Sequence, residues 1–406
     1  MKANPQGYWA PSYSGEGLLN LMSSIADACG TAGTGYAPLS GVDTTPWRQA
    51  RNIVLILADG VGSDFITRTS PDGFLARHQV ATLTSVCPTT TACAIPTLMT
   101  GLPPSVHGLT GWHVYLDEID AVTAVLPLTV RGIQMVNASP IDPQTLFPYS
   151  TIYRQLGRPS HVVSPARIAD SPFSRIHSAG ATLHSYFPEE HPWLDALTFS
   201  RRRRDFFGTL RHLCRAPGPP KFIYAYWPDF DHAAHENGVD SAAATALFRA
   251  FDAELAGFMQ DIAGSDTLLA VTADHGFIDS PGDRQVHLDD HVALGNMLRL
   301  PICGERRFAY CYLKPGMRSE FEDYVGMVLA DRAEAWPREK LLDEGWLGPG
   351  PANARLANRV GDYVLAMQGD WTLVDHVPGE KPVRMIGVHG GLSRGEMLVP
   401  LCVARA

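Results

Sequence analysis

The sequence predicts an α/β fold: a mostly parallel sheet with helices on both faces, plus an inserted cap subdomain. Two observations predict the sheet and its helices. Four short apolar, β-branched-rich runs stop abruptly at acidic residues or histidine, and a clear helical pattern lies between two of them. The 406 residues, 45% hydrophobic and 18% charged, carry enough apolar surface for one large domain or two modest ones.

The first run, Asn52-Ile-Val-Leu-Ile-Leu-Ala-Asp59-Gly60, is apolar at nearly every position, as a strand buried on both faces must be. The second is Phe222-Ile-Tyr-Ala-Tyr-Trp-Pro-Asp229-Phe-Asp231-His-Ala-Ala-His235 and the third Thr267-Leu-Leu-Ala-Val-Thr-Ala-Asp274-His275-Gly276. The fourth, Met385-Ile-Gly-Val-His389-Gly-Gly391, is shorter. From Ser241 to Ala263, Ala, Leu and Phe recur every three or four residues, which predicts a helix with one apolar face. Ligands of such sheets sit beyond the carboxyl ends of the strands, so the polar ends of all four runs are expected in one crevice.

Around this core, 48–112 and 219–406, residues 113–218 are rich in Pro, Ser, His and Arg and read as the inserted cap. Within it, Arg201-Arg-Arg-Arg204 reads as a solvated helix face. Residues 1–47, without clear periodicity, read as an N-terminal arm packed on the core. No apolar run approaches the roughly 20 residues of a membrane helix, and no secretory leader is evident, so a cytoplasmic protein with no membrane partner is expected. The seven scattered cysteines include no C-x-x-C pair and read as small buried hydrophobes. With 42 acidic against 33 basic residues, the net charge of −9 argues against a nucleic-acid polymer as partner.

The chemistry lies in the run ends. Asp231-x-x-x-His235 sets a carboxylate and an imidazole one helical turn apart, able to grip one cation, although the spacing taken alone reads first as a structural pair. Asp274-His275-Gly276 puts two polar groups at the end of a buried strand, where they need partners, beside a glycine that permits a tight turn. Cys87-Pro88-Thr89-Thr90-Thr91-Ala92 precedes a helix-compatible stretch and places a hydroxyl near a helix N-terminus, a setting that favours an anion. Taken by itself this last motif reads as an N-cap, and it gains a functional reading only beside the Asp-ended strand before it and the two Asp/His pairs after it.

The ordered set Asp59, Pro88-Thr-Thr-Thr91, Thr100-Gly101, His107-Gly108, Asp231-x-x-x-His235, Asp274-His275-Gly276 and His389-Gly-Gly391 resembles the alkaline phosphatase superfamily, in particular its type I phosphodiesterase/nucleotide pyrophosphatase family. The resemblance spans nearly all of the chain outside residues 1–50 and the insertion. It implies two Zn²⁺ per chain, with Mn²⁺ as the alternative ion: one held by Asp231, His235 and His389, the other by Asp59, Asp274 and His275, with Thr91 as nucleophile and metal-bridging oxygen. Three carboxylates and three imidazoles suit zinc on chemical grounds as well. The implied reaction is hydrolysis of a phosphodiester or nucleotide-type phosphoanhydride through a phospho-threonine intermediate. Sulfatase-type relatives need a cysteine in C-x-P-x-R, whereas Cys87 is followed directly by Pro88.

One departure concerns the substrate. The family's phosphoryl-binding asparagine falls, by count, on Trp112, so Trp112 or His113 is the candidate replacement donor, or Trp112 simply walls an apolar pocket. His107-Gly-Leu-Thr-Gly also resembles phosphonoacetate hydrolases of the superfamily, which keeps a phosphonate as an alternative substrate. A phosphomonoesterase would need extra cations in the site, for which Arg131, Arg167 and Arg175 are candidates. A non-catalytic binding module is the third reading, opposed by the complete ligand set. His287-Leu-Asp-Asp-His291 reads as a surface turn and helix start, Asp64 as helix-start polarity, and Asp229 and His232 as groups flanking the ligands. The acidic net charge does not bar a small anionic phosphate or phosphonate substrate. Two Zn²⁺ would set +4 against −3 from Asp59, Asp231 and Asp274, leaving the crevice at about +1.

Overall fold

The computed structural model describes residues 3, 4, 6–31, 33–132, 142–186 and 196–406, with the side chains of 196–205 left aside. Its centre is a seven-stranded sheet in the order Gln79–Thr84, Leu398–Arg405, Thr267–Thr272, Asn52–Ala58, Lys221–Trp227, Ser160–Pro165 and Thr182–Tyr186. Only Leu398–Arg405 runs against its neighbours; the five strands from Thr267–Thr272 to Thr182–Tyr186 are parallel.

The three strongest apolar runs occupy the middle of this sheet. Ile53 to Leu57 are fully buried, each worth about 1.5–3 kcal/mol relative to exposure, as their unbroken hydrophobicity requires. Asn52 is in register with both Lys221 and Thr267, so the three strands end level with one another. That register delivers Asp59, the helix Asp229–Asn237 and Asp274 to a single edge. The expected helix appears as Ala242–Asp261, capped by the Ser241 hydroxyl, which accepts from Ala244 N. Its apolar positions Leu247, Phe248, Phe251 and Leu255 enter the core.

Three features lie outside the pattern of apolar runs. Of residues 113–218, His113–Leu116, Ala121–Ala124 and Thr129–Val130 join a second, antiparallel seven-stranded sheet, while Ser160–Pro165 and Thr182–Tyr186 complete the central one. Those two strands are short and rich in Ser, His and Thr, which hides them from an apolar-run reading. The N-terminal segment holds a helix, Leu18–Ala28, ten of whose eleven residues are buried; a helix covered on every side has no polar stripe to reveal its period. The fourth run contributes only Gly387–Val388, paired with Ile278–Asp279 in a ribbon outside the central sheet. Arg201–Arg204 fall in the helix Ala196–Arg215, and their side chains lie outside the described residues.

The second sheet runs Ala333–Pro337, Tyr363–Met367, Phe308–Cys311, Cys303–Gly304, His113–Leu116, Ala121–Ala124, Thr129–Val130. The hairpin between Cys303–Gly304 and Phe308–Cys311 carries Glu305, Arg306 and Arg307 on its tip. No helix among the described residues is long and apolar enough to cross a membrane.

Candidate metal and nucleophile centre

At the carboxyl edge of the central sheet the chain turns sharply after each run. Gly60 follows Asp59 at φ +77°, a conformation that L side chains avoid, and an added Cβ would strike the Phe277 ring. Gly276 follows His275 where the Gly395 carbonyl leaves no room for a side chain. The helix Asp229–Asn237 sets Asp231 and His235 one turn apart, with His235 Nε2 3.4 Å from Asp231 Oδ1. Thr91 is the first residue of the helix Thr91–Thr100, with extended Thr90 before it and left-handed Gly101 after it.

These turns bring the sequence-derived residues together. His275 Nε2 stands 3.5 Å from Asp59 Oδ1, 3.4 Å from Asp274 Oδ2, 4.0 Å from Asp231 Oδ1 and 3.1 Å from Thr91 Oγ1. His389 Nε2 lies 3.8 Å from Asp231 Oδ1. Two groups could each hold an ion: Asp59, Asp274 and His275, and Asp231, His275 and His389. His275 therefore belongs to both, while His235 joins through Asp231 and stands 5.0 Å, ring to ring, from His389.

Each imidazole is held by its far nitrogen. Nδ1 of His235 lies 2.9 Å from the Gly387 carbonyl, that of His275 3.1 Å from the Gly276 carbonyl, and that of His389 3.1 Å from the Thr89 carbonyl. With Nδ1–H donating, each Nε2 presents a lone pair to the cluster, the tautomer a metal ligand needs. The carboxylates are oriented in the same way: Tyr226 Oη donates to Asp59 Oδ2, and Gly60 N donates to Asp274 Oδ1 at 3.1 Å.

What is left over points to a cation. Asp59 Oδ1, Asp231 Oδ1 and Asp274 Oδ2 are buried with no hydrogen-bond partner, all aimed at the same place. Burial, then repulsion from Asp274 and Asp231, holds Asp59 well above the usual carboxylate range. Burial pushes Asp231 up to about 7, with His275 and the exposed Arg167 opposing and Asp274 adding to the rise. Burial also lowers His235 to about 4 and His389 well below the ordinary imidazole value. Unpartnered carboxylate oxygens facing neutral imidazoles are costly without a positive charge between them, and a divalent ion with O/N preference fits this donor set.

A cavity of about 1680 Å³ opens from Thr90, Thr91, Asp231, His235 and His389 toward the second sheet. Trp112, 39% exposed, lines it; its backbone N–H donates to Glu305 Oε1 at 2.7 Å. His113 also lines it, held neutral by burial and the neighbouring Arg131, which lower it to about 3. Arg131 is fully engaged by Asp375 and Glu380, and the exposed Arg175 pairs with Asp170, whereas the charge of Arg167 is felt at Asp231. His232 pairs with Glu236, and Asp64 accepts from Arg394 at 2.7 and 2.9 Å. His291 lies at the start of the helix Val292–Met297 with Nδ1 2.8 Å from Tyr324 Oη.

Sequence reasoning missed the hairpin tip. Glu305, pushed up to about 7 by burial, sits against Thr90 and Trp112; Arg306 lines the cavity; Arg307 is buried against Glu396. The signal available was three adjacent charged residues between two apolar stretches, which reads as an ordinary exposed turn. Thr89 was also passed over: its hydroxyl donates to Gly391 O at 2.7 Å and accepts from Gly390 N at 3.2 Å, bracing the His389 loop.

A parallel sheet that gathers an Asp/His cluster and a buried threonine at its carboxyl edge has the architecture of the alkaline phosphatase superfamily. Residues 53–392 match the profile of the type I phosphodiesterase/nucleotide pyrophosphatase family, and the chain belongs to that family. It is a phosphoester hydrolase of the superfamily. Among solved structures, murine ectonucleotide pyrophosphatase/phosphodiesterase 5, an inactive threonine-to-alanine variant with AMP, is similar at TM-score 0.62 and 17% identity, covering 86% of this chain and 87% of that one. The human counterpart is similar at TM-score 0.60 and 15% identity, with coverage of 86% and 87%. Phosphonoacetate hydrolase from Sinorhizobium meliloti 1021, in complex with phosphonoacetate, has TM-score 0.62 and 18% identity, covering 87% and 90%. No curated protein sequence matches the chain.

Proposed function

We propose that the protein hydrolyses a phosphodiester or nucleotide-type phosphoanhydride, with Thr91 as nucleophile and two divalent ions, zinc by donor chemistry, held by Asp59, Asp274 and His275 and by Asp231, His235 and His389. The observation that carries this reading is the convergence of three unpartnered carboxylate oxygens and the Thr91 hydroxyl on His275. When bound, such ions supply Lewis acidity that lowers the pKa of a nearby hydroxyl and offsets charge on phosphoryl oxygens.

The chain's own residues account for the rest. Thr91, held at the start of its helix, presents Oγ1 toward the cavity with its backbone fixed. Its oxygen forms a bond to phosphorus as the bond to the leaving group breaks, the electron pair departing with that group and the hydroxyl proton passing to solvent. Water then splits the phospho-threonine, restoring the hydroxyl and releasing the second product. Tyr226, Gly60 and the three carbonyl-anchored imidazoles keep the donors oriented through both steps. Trp112 forms part of the wall of the substrate cavity. The seven buried free thiols suit a reducing, cytoplasmic setting.

A second reading, hydrolysis of a phosphonate, uses the same site, and the similar phosphonoacetate hydrolase structure favours keeping it. The test is turnover by zinc-loaded protein of a p-nitrophenyl diester, a p-nitrophenyl monoester, a nucleoside triphosphate and phosphonoacetate. Preference for the diester or the nucleotide supports the proposal; turnover of the phosphonate alone selects the second reading; turnover of none contradicts both.

A further inference from the structure

One wall of the cavity is cationic in a way the hydrolytic centre does not use. Arg306 lines the wall, half-buried, with Nη2 donating to the Val383 carbonyl at 2.7 Å, and no carboxylate among the described residues ion-pairs with it. Its charge is felt at both His235 and His113. Lys381 and Arg384, exposed on the strap 375–386, line the same space, again without an ion-pair partner among the described residues.

The acidic groups nearby are largely committed elsewhere. Asp375 and Glu380 each take a bidentate grip on Arg131, at 3.0 and 3.0 Å and at 2.9 and 2.8 Å, and Gly132 N also donates to Glu380. Arg131 further donates to Ile302 O at 2.7 Å, so this clamp fixes the strap across the cavity. Glu305 is the remaining carboxylate on this wall, and its Oε1 is taken by Trp112 N. Asp375 and Glu305 act on Arg306 only through space and burial outweighs them, so a half-buried guanidinium with no direct ion pair would gain from a bound anion.

We infer that Arg306, with Lys381 and Arg384, forms a subsite for a second negative group carried by the departing part of the substrate. The inference rests on the proposed hydrolytic reading and narrows it: the substrate class is one whose leaving group is itself anionic, either the polyphosphate of a nucleotide or the carboxylate of a phosphonate. A neutral alkyl or aryl leaving group leaves the subsite empty.

The test compares matched substrates on zinc-loaded wild type and Arg306→Gln. One pair is a nucleoside triphosphate and the p-nitrophenyl ester of the same nucleoside 5′-monophosphate; the other is phosphonoacetate and its carboxyl methyl ester. The expected result is a fall of tenfold or more in the kcat/KM ratio of anionic over neutral leaving group, carried mainly by KM, in whichever pair is turned over. Arg306→Lys should restore part of it. The double variant Lys381→Gln/Arg384→Gln, at exposed positions, should lower the same ratio by a smaller factor and covers the case in which Arg306→Gln fails to fold. An unchanged ratio in the folded variants overturns the subsite while leaving the hydrolytic reading intact, whereas no turnover of any substrate by wild type removes that reading itself.

Discussion

Arg307 and Glu396 form a buried bidentate ion pair, Nε to Oε1 at 3.1 Å and Nη2 to Oε2 at 3.0 Å, that joins the hairpin tip of the second sheet to the loop bearing His389. Glu396 also accepts from Gly391 N at 2.7 Å and Ser393 N at 3.2 Å. The pair thus fixes the backbone two residues beyond a proposed ligand.

Truncating one partner leaves a buried charge uncompensated. Glu396→Ala is expected to cost about 3–5 kcal/mol in urea denaturation. In the fraction that folds, metal affinity should fall about 10- to 100-fold as the His389 loop loosens. Equilibrium titration with zinc checks the second effect separately from the first.

Tyr226→Phe removes the donor to Asp59 Oδ2 and little else, because the ring remains buried in the same place. The expected outcome is a stable protein with metal affinity about 10- to 100-fold weaker. Unchanged affinity would mean that the orientation of Asp59 does not matter for binding.

Chelation should destabilise the protein. With free zinc at about 1,000 times Kd, each site adds on the order of 4 kcal/mol, so the melting temperature measured with a strong chelator should drop and recover on adding zinc. A melting temperature indifferent to chelator and zinc would contradict a metal centre at the unpartnered carboxylates.

Two buried histidines away from the centre set an acid limit. His107 accepts from Leu109 N at Nδ1 and meets Thr97 Oγ1 at Nε2, both at 3.1 Å, and burial lowers it to about 3. His177, between Phe173 O and Tyr149 Oη, is lowered by burial to about 4. Unfolded, each takes a proton near pH 6.5, so below that value the unfolded chain binds more protons. Stability should therefore fall as pH drops from about 6.5 toward 3–4, and thermal melts of the zinc-loaded protein between pH 7 and 5 should show a shallower decline for His107→Gln.

Most of the Asp/His cluster was legible because its residues sit at the ends of apolar runs. Asp59, Asp231 with His235, and Asp274 with His275 follow strands whose burial is written in unbroken hydrophobicity, and the level register of those strands does the rest. His389 was legible through motif order alone, since its two-residue strand lies off the central sheet. Ser160–Pro165 and Thr182–Tyr186 were not, because polar residues mask their strand pattern, and Leu18–Ala28 was hidden by burial on every face. Glu305, Arg306 and Arg307 could not be found at all from spacing, for their roles depend on which sheet the hairpin tip meets.

The central claim is that Thr91 is the nucleophile of a metal-supported phosphoester hydrolase, and turnover by Thr91→Ala at wild-type metal content tests it most directly. Metal analysis should find about two zinc ions per chain in both proteins, with kcat on the preferred substrate falling about a thousandfold or more in the variant. A fully active Thr91→Ala, with its zinc in place, would contradict the account.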